Sequence, residues 1–198
     1  MLEIFPGVWH WTAVHPGIGT EVSSYYLAEE RVLIDPMVPA EGLSWFAQSR
    51  PEHALLTSRH HDRQAWQFRT EFDCRIHCGA GAVQELQGRG PVEVFSFGDR
   101  LPGEITAMEV GAIFPDETAL HIPRHRALAC GDGVIRVGAR PGLRFVPDQF
   151  MEHPTETKPA LRRAYQALLE LDFDTLLLAH GDPLIDAGKA ALANFIAG

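Results

Sequence analysis

The stretch Leu55-Leu56-Thr57-Ser58-Arg59-His60-His61-Asp62-Arg63 decides how the rest of this chain is read. Two leucines and a threonine suit the end of a short buried strand. The six residues after them carry hydroxyl, imidazole, carboxylate and guanidinium groups. A rigid strand that delivers such donors into a loop is a common way to build a metal or acid–base site.

Outward from this stretch the pattern predicts a β-loop-α-β unit. It has a strand at 53–57, a helix at 62–72 with Ala65, Phe68 and Phe72 on one face, and a strand at 75–78. Before it, strands are expected at 7–14, 24–28 and 31–35 and a helix at 40–48. After it, β-like runs at 92–95, 105–110, 118–122, 127–130 and 134–137 predict a second sheet. A proline-rich connection from Pro141 leads to Pro159 in a first helical turn. Leu161, Ala164, Tyr165, Leu168 and Leu169 then keep helical spacing. An apolar strand at 175–179 ends at His180, and a last helix is expected at 187–196. Two sheets with flanking helices predict an α/β fold, a four-layer αββα sandwich, as a single domain over residues 1–198.

Composition narrows the partners. Against 17 Lys and Arg stand 26 Asp and Glu, a net charge of −9, with no basic cluster, so nucleic acid and anionic membrane surfaces are not expected partners. No segment is long and apolar enough for a membrane span, and the first residues do not read as a signal peptide, so a cytoplasmic location is expected. Three cysteines without a Cys-x-x-Cys pair fit buried, reduced thiols.

Four landmarks carry a family resemblance. The stretch Thr57, Ser58, His60, Asp62, Arg63 resembles the Thr-His-x-His-x-Asp-His motif of the metallo-β-lactamase-fold superfamily, with Ser58 and Arg63 in place of the outer histidines. Val32-Leu33-Ile34-Asp35 is similar to that family's early strand ending in Asp. Ala129-Cys130-Gly131-Asp132 is similar to its Gly-Asp, and Leu178-Ala179-His180-Gly181 to its late strand ending in His-Gly. The Pro-Gly-His that should precede Gly-Asp is absent. Its histidine maps near Ala112, with Pro123-Arg124-His125 as a competing alignment across a hairpin barely long enough.

Each residue also has a plain structural reading. His60 suits a solvated loop, Asp62 a helix cap, Asp132 a tight turn between two glycines, and His180 a strand end before Gly181-Asp182-Pro183. His61 and His121 read as structural. What favours a shared role is that Asp62, Asp132 and His180 all fall at the family's own positions.

The resemblance implies one divalent metal, zinc first, at Asp62, Asp132 and His180. Two carboxylates and an imidazole would leave a coordination place for water. His60, Asp62 and Arg63 are the implied catalytic group, with His60 hydrogen-bonding the water and Asp35 orienting a ligand. The expected activity is hydrolysis of a small ester, thioester, amide or lactone. The alternative is a non-catalytic relative without metal that binds a small ligand or partner, its carboxylates neutralised by Arg63. Substrate and oligomeric state are not legible in the sequence.

Overall fold

In the computed structural model, which describes residues 1–137 and 142–198, the central strands bury both of their faces, and this sets the order of the layers. The first sheet runs β1 (Leu2–Phe5), β2 (Val8–Val14), β3 (Glu21–Leu27), β4 (Val32–Ile34), β5 (His53–Leu55), β6 (Arg75–Gly79) and β7 (Glu93–Phe95), in that order across the sheet. Pairing is antiparallel from β1 to β4 and parallel from β4 to β7. The second sheet contains β8 (Arg100–Leu101), β9 (Ile105–Glu109), β10 (Thr118–Ile122), β11 (Ala127–Cys130) and β12 (Thr175–Leu178), ordered β12-β11-β10-β9-β8.

Side chains alternate across each strand, so neighbours in sequence serve different cores. Val32 and Ile34 point between the sheets, where they meet Leu120, Ile122, Ala129 and Leu177. Leu33, between them, faces outward to Phe46 and to Phe68 of helix α1 (Ala65–Phe72). On the far side Leu128, Leu176 and Leu178 face Leu161, Tyr165 and Leu168 of α2 (Pro154–Leu168) and Leu192 of α3 (Gly188–Ala197). The result is helix, sheet, sheet, helix. A bridge between the sheets comes from Tyr25, whose hydroxyl donates to the Leu178 carbonyl at 2.8 Å.

Several expectations require correction. The 92–95 run is β7, an edge strand of the first sheet pairing parallel with β6, and not part of the second sheet. Residues 134–137 form only isolated bridges, Ile135 with Arg144 and Arg136 with Gly181. The helix expected at 40–48 is a short 3-10 turn, Leu43–Ala47, seated by the aromatic cluster of Trp45 and Phe46. Helix α2 begins at Pro154, five residues before Pro159, since a proline is as well suited to that first position. Pro141, where the connection was expected to open, lies outside the described residues. No helix of the described residues is long and apolar enough to cross a membrane.

Candidate metal centre

Four strand ends converge on one hollow. Asp35 follows β4, the Thr57–Arg63 loop follows β5, Asp132 follows β11 and His180 follows β12. Parallel pairing of β4 with β5 and of β11 with β12 is what brings these ends together. The two halves are tied by the Thr118 amide, which donates to the Thr57 carbonyl at 2.8 Å.

At the centre stands His61. Its amide donates to the Ser58 carbonyl at 2.9 Å, closing a tight turn that sends the ring inward. Nδ1 lies 2.8 Å from Asp35 Oδ2 and 2.8 Å from Thr57 Oγ1. Nε2 lies 3.1 Å from Asp132 Oδ1. The same oxygen is 3.0 Å from His180 Nε2. Asp35 is itself fixed, since the Thr57 amide and hydroxyl donate to its two oxygens at 2.9 and 2.6 Å. His180 is held by its neighbour Gly181, at φ +101°, where a Cβ would fall 2.1 Å from the Arg136 carbonyl oxygen; only glycine fits.

The charges explain each other. Burial opposes protonation of His61, but Asp132 and then Asp35 outweigh it and push its pKa up to about 9. Burial likewise works against ionisation of Asp132 and Asp35. For Asp132, His61 and His180 reverse that and hold the carboxyl well below its usual range. For Asp35, His61, Arg63 and Thr57 do the same. The unit as it stands is an imidazolium clamped between two carboxylates.

Three ligand atoms, His61 Nε2, Asp132 Oδ1 and His180 Nε2, lie within 4.8 Å of one another. Tetrahedral zinc with bonds of about 2.0–2.1 Å separates its ligand atoms by about 3.3 Å. The observed contacts of 3.0 and 3.1 Å are close to that separation. Two imidazoles and a carboxylate match the donor set of catalytic zinc sites that keep an open place. Asp35 on the far nitrogen of His61 supplies the carboxylate–histidine arrangement that orients a metal ligand. The side chains of Asp132 and His180 keep 18% exposure each, so solvent reaches the group. The residues present fit a divalent ion.

The remaining sequence candidates stand elsewhere. Asp62 is buried with its carboxylate turned to Trp66 Nε1, at 2.7 Å, and to Arg89, with which it pairs. It is outside the three-residue group, and it makes no side-chain cap to α1. His60 is exposed, its ring edge-on to Phe114 with centroids 4.8 Å apart. Arg63 is half-buried and in a left-handed conformation, φ +41°. Among the described residues its hydrogen bonds go to the carbonyls of Ser23, Asp35 and Ala179, at 2.6, 2.8 and 3.3 Å, and to no carboxylate. His125 bonds Glu30 at 3.1 Å and Ala112 packs against the core beneath α2, so neither alignment supplies a third histidine. His121 reaches the Asp172 carbonyl.

The residue that sequence reasoning placed among structural histidines is therefore the central one. The family motif laid on the loop pointed to His60, at its second histidine position. The Ser58–His61 turn presents His61 instead. A signal was available in Thr57 and Asp35, two strand-end groups with hydrogen bonds to give and take that need a ring within reach.

No family model and no curated protein matches this sequence. Solved structures do. The DIM-1 metallo-β-lactamase superposes with a TM-score of 0.75 at 13% identity, over 98% of this chain and 94% of that one. The chain has the metallo-β-lactamase fold. The same fold is shared with rubredoxin oxygen:oxidoreductase from Desulfovibrio gigas, with a TM-score of 0.68 at 16% identity. That match takes in 99% of this chain but only 59% of the oxidoreductase. A protein solved in a di-iron-bound form matches at 0.63 and 18% identity, over 97% of this chain and 96% of its own. A metallo-β-lactamase and an oxidoreductase on one scaffold mean that the metallo-β-lactamase fold leaves the reaction to be argued from the site.

Proposed function

We propose that this protein is a mononuclear metal-dependent hydrolase of small carbonyl substrates, an ester, thioester, amide or lactone, with His61, Asp132 and His180 as the metal-holding residues and zinc as the first candidate. The observation that carries the reading is the convergence of those three ligand atoms, two of them on part-exposed side chains, with Asp35 fixing the far side of His61. A divalent ion held there supplies Lewis acidity, which polarises a carbonyl and acidifies water.

The protein's own groups have separate duties. Asp35 accepts from His61 Nδ1 and so presents Nε2 to the hollow. Asp132 and His180 border the open side. His60 and Phe114, their rings edge to face, offer a polar and an apolar surface to a substrate. Arg63 gathers three carbonyls from β3, from the residue after β4 and from the residue after β12, and so keeps the strand ends in register.

One observation favours a second reading, a non-catalytic relative that binds a ligand. The protonated His61 ring bonds both carboxylates and offsets one of their two charges, so the centre holds together without a cation. Arg63, the group first expected to do this, points to carbonyls instead. The two readings separate on one experiment. Purified protein is loaded with zinc and assayed by elemental analysis, then against a panel of chromogenic esters, thioesters and lactones. One bound ion and turnover, both lost in His180→Ala, support the hydrolase. A loaded protein inactive on the whole panel, or one that takes up no ion, sinks it.

A further inference from the structure

We propose that Glu117 is a positioning residue for Asp132: its carboxyl group, closed off from solvent, holds the Gly133 amide and so fixes the turn that presents Asp132 to His61 and His180. The proposal rests on reading those three residues as the metal-holding group. Glu117 has no exposed surface, which is costly for an acid unless its oxygens have work. Oε1 accepts from the Gly133 amide at 2.6 Å and Oε2 from the Ile113 amide at 3.2 Å. Its backbone carbonyl accepts from Val110 and Gly111 at 3.1 and 3.0 Å. One side chain therefore joins the loop between β9 and β10 to the turn after β11.

The fit at Gly133 is close enough to make the contact specific. A Cβ there would lie 2.7 Å from Glu117 Oε1, 2.7 Å from the Tyr165 hydroxyl and 2.8 Å from Leu161 Cδ2. The turn cannot move toward α2 without striking Leu161 and Tyr165, nor off the carboxyl group without losing a buried hydrogen bond. Packing alone would be served as well by leucine or methionine at 117, and a buried ionisable group is a poor way to gain stability. What the turn requires is an acceptor, not a charge. Burial first, then the nearby charge of Asp132, push the Glu117 pKa up to about 8 against the pull of its two amide donors.

The test compares Glu117→Met, which keeps volume without a strong acceptor, with Glu117→Gln, which keeps a carbonyl for Gly133. Phe46→Leu serves as a destabilised control in a separate core cluster. Zinc affinity is read by competition with a chromophoric chelator. Glu117→Met should weaken zinc about tenfold, the lower end for a supporting group. Glu117→Gln should recover most of the loss, and Phe46→Leu should bind as wild type. The proposal is overturned if Glu117→Met binds zinc like wild type, if Glu117→Gln is no better, or if Phe46→Leu weakens zinc equally. Should wild type bind no zinc, the metal reading fails on its own. Glu117 is then judged in the metal-free protein by the imidazole ¹⁵N resonances of His61 and His180. Shifts in Glu117→Met and none in Glu117→Gln support the role, and unchanged shifts in Glu117→Met end it.

Discussion

Asp35 Oδ2 and His61 Nδ1 lie 2.8 Å apart, both side chains almost wholly buried, and this contact decides which nitrogen of His61 faces the hollow. Asp35→Asn keeps the shape but offers an amide where the imidazole needs an anion. The variant should bind zinc about 10–100-fold more weakly, as loss of an orienting carboxylate typically does. Isothermal titration against wild type checks this, and equal affinities would contradict it.

Zinc should displace a proton. With the pKa of His61 pushed up to about 9, the ring is protonated at neutral pH and must lose that proton before Nε2 can ligate. Apparent affinity should therefore rise with pH through the neutral range and level off above about 9. Titrations at pH 7.5 in buffers of differing ionisation enthalpy should show release of about one proton per ion. No buffer dependence would mean that His61 is not the ligand.

Asp62 and Asp132 should behave differently. Asp62 is engaged by Trp66 and Arg89, so Asp62→Asn should leave the amount of bound metal unchanged. Asp132→Ala removes the oxygen shared by both imidazoles and should abolish binding. Elemental analysis of the two proteins decides the point.

Replacing Arg63 should cost stability whether or not metal is present. Arg63→Met takes its donor from the Ser23 carbonyl, while the Asp35 and Ala179 carbonyls keep the Ser24 hydroxyl and the Ser23 amide. The expected loss is about 1–3 kcal/mol in urea unfolding, given the cost of an unsatisfied buried acceptor. A midpoint equal to wild type would show that water replaces the guanidinium freely.

A separate acid sensitivity belongs to the His53–His77 pair, whose ring nitrogens lie 2.9 Å apart, His53 at the start of β5 and His77 in the middle of β6. Burial first, then His53, lowers the His77 pKa from 6.5 to about 4. The unfolded chain therefore binds the extra proton first, and stability present above pH 6.5 should drain away as pH falls toward 4. His77→Gln should flatten that stretch of the curve, measured by thermal unfolding from pH 7 to 4. An unchanged slope would assign the acid loss to other groups.

The order of the strands was largely legible, because alternation such as Val32-Leu33-Ile34 writes two cores into three residues. The strand-end landmarks Asp35, Asp132 and His180 were legible for the same reason: each follows an apolar run that can only be a buried strand. What failed were choices that depend on turns. In a turn closed by the Ser58 carbonyl, His61 and not His60 reaches Asp132. Asp62 leaves the centre because Arg89, distant in sequence, pairs with it. The run at 92–95 changes sheets because edge pairing is decided by neighbours that no local pattern records.

The parallel pairing of β11 with β12 joins segments almost fifty residues apart, and Asp132 meets His180 only through it. An unfolded chain cannot assemble that pair, so any ion it captures is held by scattered single donors. Tight zinc uptake would then act as a gauge of complete folding, and by mass action excess zinc would raise the melting temperature of the whole sandwich.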